Sequence, residues 1–253
     1  MKAVILAAGR GTRIRSATQG RPKCLLEVGD QTLLDWQIDW LFHEGVSEVG
    51  IVVGYRKEDI VSHLALRHPD KVNRIRFIEN TNYLLTNNMY SFWLARHWTA
   101  GERFICLNAD VLCHPGILGL TMASDEDIAV AVDPEFREET TKVVIEGDRV
   151  VALGKTITRE ECSGTFVNIA AFSARGARAL FTRAESRFAD QDFGCFYNDV
   201  LNRMAGDGER IGAVNVEHLP WAEIDDPADL EFARRSVFPE LHASLCLTNQ
   251  RLA

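Results

Sequence analysis

A chain of 253 residues, 46% apolar and 25% charged, has the composition of an ordinary globular protein, which leaves no compositional case for disorder. Its formal net charge of −8 excludes the basic stripe of a nucleic-acid binder, so an anionic ligand has to be held by a few placed cations and backbone amides, which favours a small-molecule site. The six cysteines form no C-x-x-C pair, and the apolar run at the N-terminus stops at Gly9, too short for a signal or a span. A reduced, cytoplasmic protein without membrane contact is expected.

Taken in chain order, Ala3–Ala7 reads as a strand, Leu33–Glu44 as a helix stopped by Gly45, and Val49–Val53 as the second strand. Lys57–Arg67 reads as helix, Arg74–Ile78 as strand, Asn88–Trp98 as helix and Phe104–Leu107 as the fourth strand. That alternation implies βαβ units. Further on, Ile128–Val132, Thr141–Ile145 and Val150–Leu153 read as strands, with Glu146-Gly147-Asp148-Arg149 a hairpin turn that brings in antiparallel pairing. Asn168–Phe172 is a strand candidate, Ala174–Phe181 and Phe196–Met204 are helical, Ile211–Val216 is a late strand, and Pro227–Phe238 is a closing helix. The expected fold class is α/β: a Rossmann-like mixed, mostly parallel sheet flanked by helices, forming one domain over 1–253. The apolar stretch Leu241–Leu247 suits a homodimer contact.

The sharpest motif is Leu6-Ala7-Ala8-Gly9-Arg10-Gly11-Thr12-Arg13, directly after the first strand, followed by Arg21-Pro22-Lys23. Glycines at 9 and 11 let the backbone pass close to a phosphate and offer it amide N–H groups, while Arg13 and Lys23 supply charge. A dinucleotide fingerprint needs a third glycine where this chain has Ile14, and a Walker A loop needs Gly-Lys-Ser/Thr. Neither is present. A turn that merely ends a strand, with two solvated cations, is the plainer alternative.

This segment resembles the L-A-A/G-G-x-G-T/S-R…P-K signature of the nucleotidyltransferases acting on sugar phosphates and alcohol phosphates. Within that superfamily the chain is most similar to bacterial cytidylyltransferases of the phosphocholine and inositol-phosphate type. Four later segments carry the likeness: Val53-Gly54-Tyr55, Asn80 through Asn82-Tyr83 into Thr86-Asn87-Asn88-Met89-Tyr90-Ser91, Asn108-Ala109-Asp110, and Trp221-Ala222-Glu223-Ile224-Asp225. The resemblance implies transfer of a nucleotidyl group, with CTP as the expected donor, to a small phosphorylated alcohol, amino-alcohol or polyol, with release of pyrophosphate. A sugar-1-phosphate transferase using UTP, dTTP or GTP stays open. An idle nucleotide sensor is disfavoured because the lysine and carboxylates are all retained.

By the same resemblance 1–115 is the nucleotide-binding half and 116–240 the acceptor half. Leu6, Ala7, Ala8, Gly9, Gly11, Thr12, Arg13 and Lys23 would hold the triphosphate, with Lys23 and Arg13 catalytic. Gly54, Tyr55, Asn80, Thr86, Asn87, Asn88 and Ala109 would read base and ribose, although one of residues 86–88 is equally a helix cap. Asp110 and Asp225, with Glu223, would bind Mg²⁺; Glu223 and Asp225, two apart, point one way on an extended segment while Ile224 turns to the core. The plainer alternative makes Asp225 or Asp226 merely the N-cap of the helix at Pro227, Asp226 being the better placed of the two. For the acceptor, Lys142 and Lys155 are the phosphate cations, and Asp192 with Tyr197, Asn198 and Asp199 could reach its ammonium or hydroxyls. Exposed strand lysines explain the first two nearly as well, and a polar helix face explains the others equally well.

Overall fold

A computed structural model describes residues 1–216 and 219–252, with side chains through residue 245. Nine strands build the central sheet: β1 Lys2–Ala7, β2 Glu48–Val53, β3 Ile75–Glu79, β4 Phe104–Asn108, β5 Ile128–Asp133, β6 Lys142–Glu146, β7 Arg149–Gly154, β8 Gly164–Phe172 and β9 Gly212–Asn215. Their spatial order is β3-β2-β1-β4-β8-β5-β9-β7-β6. Pairing among β3, β2, β1 and β4 is parallel, as the βαβ alternation requires. Strand β8 then enters antiparallel between β4 and β5, and β7 pairs antiparallel with β6 across the Gly147 turn, so the parallel character belongs chiefly to the N-terminal half. The exception beyond it is β9, parallel to β5.

Strand β1 explains why the sheet is central. Ala3, Ile5 and Ala7 fall in one apolar cluster and Val4, Leu6 and Ala8 in the other, so both faces are buried and the sequence reads as an unbroken apolar run. Helices Leu33–His43, Lys57–Arg67 and Pro115–Ala123 cover the first face; Asn88–Leu94, Ala174–Ala189 and Tyr197–Gly206 cover the second.

Several boundaries differ from the sequence expectation. The helix expected to run to Trp98 ends its α-form at Leu94 and finishes as a tighter 3₁₀ turn through His97. The closing helix runs Pro227–Phe232, widens into a π-helical turn over Ala233–Val237, and continues as Phe238–Leu252. A short antiparallel ribbon, Val111–Cys113 with Trp221–Glu223, was not anticipated. Leu241 is 1% exposed and belongs to the chain's own core, with Leu245 packed against it, so these two of the residues expected at a subunit contact are taken up by the chain itself; Cys246 and Leu247 lie outside the described side chains. Among the described residues no helix is long and apolar enough to cross a membrane.

Candidate active site

Strands β1 and β4 both end at one edge of the sheet, and a cavity of about 800 Å³ opens there. Open α/β sheets place ligands at this carboxyl edge. Its walls include Leu6, Ala7, Ala8, Gly9, Gly11, Thr12, Arg13 and Lys23, followed by Ala109 and Asp110 from the end of β4. Gly11 is in the left-handed region at φ +56, and a Cβ there would lie 3.0 Å from the Lys23 Cβ. Only glycine holds this turn without strain, so the loop passes close beneath Lys23.

The ribbon brings the acidic groups together. Val111 pairs with Glu223, and the Ile224 amide donates to the Asp110 carbonyl at 3.0 Å, so residues 110 and 223–225 become neighbours. Ile224 is fully buried while Glu223 and Asp225 face the cavity. Asp226 accepts from the amides of Ala228 (2.7 Å) and Asp229 (3.0 Å) and caps the following helix. Asp225 is thereby left to the site. Oxygens of Asp110, Glu223 and Asp225 lie within 4.8 Å of one another.

Lys23 Nζ donates to Asp225 Oδ1 at 2.6 Å and lies 2.8 Å from Asp110 Oδ2; Arg13 Nη2 reaches Asp225 Oδ2 at 2.7 Å. Burial alone would lower the Lys23 pKa, but the two carboxylates outweigh it and raise it. For Asp225, burial pushes the pKa upward and Lys23 and Arg13 more than reverse it. Glu223 is pushed up to about 8, by burial first and then by the Asp110 and Asp225 charges. Asp110 Oδ1 is buried with no hydrogen-bond partner. Three converging carboxylates, one with an orphaned buried oxygen and one whose pKa its acidic neighbours raise, form an all-oxygen donor set, which fits a divalent cation.

The segment 80–88 forms the next wall. Asn80 is 1% exposed and fully engaged: its Nδ2 donates to Thr86 Oγ1 (3.1 Å) and Ser91 Oγ (3.0 Å), and its Oδ1 accepts from the Asn82 amide (2.9 Å). Asn87 caps the following helix, and Asn88 Oδ1 accepts from the Tyr197 amide at 2.9 Å. Asn80, Thr86, Asn87 and Asn88 all line the cavity.

Gly54 and Tyr55, expected against the base, are not among the residues that line the cavity and stand behind its wall. A Cβ at Gly54 would come within 2.9 Å of both the Ala8 carbonyl and Tyr83. The Tyr55 hydroxyl donates to the Gly20 carbonyl at 2.8 Å, and its ring meets Tyr83 edge-on, so it is Tyr83 that faces the cavity. Of the residues expected to meet the acceptor, Lys155 and Asp199 line the cavity, while Lys142, Asp192 and Tyr197 do not. Lys142 is 4% exposed and donates to the carbonyls of Glu138 (2.6 Å) and Lys155 (2.7 Å); its charge fastens two loops. Asp192 is paired with Arg187, and Tyr197 is fully buried edge-on to Phe92 and Phe166. Asn198, expected alongside Tyr197 and Asp199, does line the cavity, and sequence reasoning missed Asn168 and Thr141, which line it as well. Asn168 had a signal, a lone amide within the apolar run Phe166–Phe172.

Comparison with known proteins agrees with this geometry. A model of the MobA-like NTP transferase domain matches residues 3–246. The chain is 30% identical over 242 residues to a bifunctional IPC transferase and DIPP synthase from Rubrobacter xylanophilus, covering 93% of this chain and 51% of that protein. It is also 30% identical over 242 residues to a 2-aminoethylphosphonate cytidylyltransferase from Lancefieldella rimae, covering 90% of this chain and 89% of that one. The chain thus spans about half the length of the first of these relatives. The solved inositol-1-phosphate CTP transferase from T. maritima shares the fold with a TM-score of 0.81 at 24% identity, over 95% of this chain and 94% of that one. From its glycine loop to the helix that follows Asp225, the chain belongs to the family of MobA-like NTP transferase domains.

Proposed function

We propose that this chain transfers a cytidylyl group from CTP to the phosphate of a small phosphorylated alcohol, amino-alcohol or polyol, releasing pyrophosphate. The observation that carries the reading is the meeting of the Gly9–Gly11 loop, the Lys23 ammonium and the carboxylates of Asp110, Glu223 and Asp225 along one cavity. The choice of CTP is supported by the cytidylyltransferase names of full-length and partial relatives. Five described cysteines are free and four of them buried, which suits a reducing, cytoplasmic setting.

In this reaction an acceptor phosphate oxygen attacks the α-phosphorus of CTP in line. A new P–O bond forms as the bond from the α-phosphorus to the bridging oxygen breaks, and that electron pair leaves with pyrophosphate. A phosphomonoester with a second pKa of about 6 is largely a dianion at neutral pH, so the nucleophile needs no base. Charge growing on the α-phosphoryl oxygens meets Lys23, Arg13 and the loop amides, all fixed before the step begins. Asp110 and Asp225, with Glu223, would hold Mg²⁺, which supplies charge neutralisation between two phosphorylated reactants. Lys155 draws in the acceptor phosphate, and Lys142 holds the Lys155 backbone in place.

The test is pyrophosphate release with four nucleotides crossed against phosphocholine, aminoethylphosphonate, inositol and polyol phosphates, and hexose 1-phosphates. Turnover confined to CTP with one acceptor class is expected. Equal turnover with dTTP or GTP would remove the donor assignment, and silence throughout would remove the function.

A further inference from the structure

Resting on the nucleotidyltransferase reading, we infer that the acceptor is a polyhydroxylated phosphomonoester whose hydroxyl groups are held by the side-chain amides of Asn108, Asn168 and Asn198, and not a phosphorylated amine.

Asn168 is the starting point. It interrupts the apolar strand β8, has a left-handed backbone at φ +62, and is 2% exposed. The pairing of β8 with β5 slips between Phe166 and Ala170, so the chain bulges where Asn168 turns to the cavity. Its amide makes no hydrogen bond to the described residues. A left-handed non-glycine residue at a bulge persists when something offsets its strain, and such residues gather at ligand sites.

Two further amides share the wall. Leu107 pairs with Ile169, which brings Asn108 alongside Asn168. Asn198 Nδ2 donates to Thr141 Oγ1 at 3.0 Å, which turns its Oδ1 away from that partner. The Oδ1 atoms of Asn108 and Asn198 are buried without hydrogen-bond partners. A buried carbonyl oxygen left unpaired is costly, so a ligand that donates to both is favoured there. Hydroxyl groups donate to these oxygens and accept from the Asn168 amide in turn.

An amine fits this wall poorly. A quaternary ammonium donates no hydrogen bond and is held by several aromatic faces or by carboxylates, and a primary ammonium, though it can donate to the two oxygens, accepts nothing from the Asn168 amide. The aromatic side chain on this side among the described residues is Phe196, 48% exposed, and the carboxylate is Asp199, exposed, with Oδ2 already accepting from the Phe196 amide at 2.8 Å. Lys155 adds a positive charge, which attracts the phosphate and repels an ammonium.

The experiment measures pyrophosphate release by the full chain with CTP and Mg²⁺. One arm uses glycerol 3-phosphate, ribitol 5-phosphate and myo-inositol 1-phosphate, a second uses hexose 1-phosphates, and a third uses phosphocholine and phosphoethanolamine. The hydroxyl-rich arms distinguish polyol from sugar; one of them should exceed the amine arm in kcat/KM by about 10²-fold or more. Asn168→Gly keeps a residue at ease with positive φ while removing the amide, and should raise acceptor KM about tenfold with CTP KM unchanged. Asn168→Asp, of the same shape, serves if the glycine variant does not fold. Preference for either amine, or an unchanged acceptor KM in the folded variant, overturns the inference and leaves the transferase reading standing. No release with any nucleotide and acceptor overturns that reading, and the inference with it.

Discussion

Lys23 and Asp225 are 202 residues apart in sequence, yet Lys23 Nζ lies 2.6 Å from Asp225 Oδ1. The same ammonium lies 2.8 Å from Asp110 Oδ2, so one cation spans the two carboxylates nearest the glycine loop. Lys23→Ala should therefore act on the chemical step: turnover at saturating CTP falls about 10²–10³-fold while CTP affinity changes little. Single-turnover kinetics with a separate nucleotide-binding titration check this. Wild-type turnover would remove Lys23 from the reaction.

Removal of the cation ligands should be non-additive. Asp110→Ala and Asp225→Ala each abolish most Mg²⁺-dependent turnover, and the double variant loses little more, because the two act as a unit. Excess EDTA should silence the wild type. Undiminished activity in EDTA would refute the assignment.

Metal binding should also release a proton. With its pKa near 8, Glu223 is largely protonated at pH 7, and a cation requires the carboxylate. Apparent Mg²⁺ affinity should then rise with pH up to about 8, and calorimetry in buffers of different ionisation enthalpy should count the proton. Glu223→Gln should flatten that dependence.

Acid stability should depend on Asp35. This carboxylate is 1% exposed and accepts from Thr32 Oγ1 (2.7 Å), the Thr32 amide (3.0 Å), His63 Nε2 (2.9 Å) and His68 Nε2 (2.8 Å). Burial would raise its pKa, but these hydrogen bonds reverse that and hold it far below the ordinary 3.8. The folded state then binds fewer protons than the unfolded one, so this stabilisation is complete above 3.8 and is lost as pH falls below it. Urea unfolding from pH 7 to 3 should show the loss, and Asp35→Asn should weaken the fold by about 1–3 kcal/mol at pH 7 while flattening the acid limb. An unchanged pH dependence would count against it.

Two aromatic residues test support against contact. Tyr55→Phe removes the hydrogen bond to Gly20 and should cost about 1 kcal/mol of stability with CTP KM unchanged. Trp221 Nε1 donates to Asp133 Oδ2 at 2.6 Å, and the Arg137 guanidinium lies 4.1 Å from its ring centroid, so the strand leading to Glu223 is braced from behind. Trp221→Phe should weaken Mg²⁺ binding about tenfold. Unaltered metal binding would show that the brace is dispensable.

The sequence was legible where burial is two-sided or periodic. Lys57–Arg67 forms a helix over the expected residues, and β1 reads as an apolar run because both its faces are covered. Lys23, Asp110 and Asp225 could be singled out because the resemblance to the nucleotidyltransferase signature marks them, and all three line one cavity. Lys142 could not be placed, since only the folded loops around Glu138 and Lys155 show that its ammonium is consumed by carbonyls. Tyr197 misled because its neighbours Asn198 and Asp199 are polar, whereas tertiary packing buries the ring between Phe92 and Phe166. The ribbon Val111–Cys113 with Trp221–Glu223 is three residues on each side, too short to announce itself by periodicity.

That ribbon makes catalytic competence a property of the finished chain. During synthesis the glycine loop and Asp110 emerge long before residues 221–225, and a chain halted between them would carry Lys23 beside a single carboxylate. Such a fragment could attract nucleotide but would lack two of the three acidic groups. On the proposed reading, turnover by nascent or clipped protein is thereby prevented by topology, and divalent-cation uptake would report that the ribbon has docked.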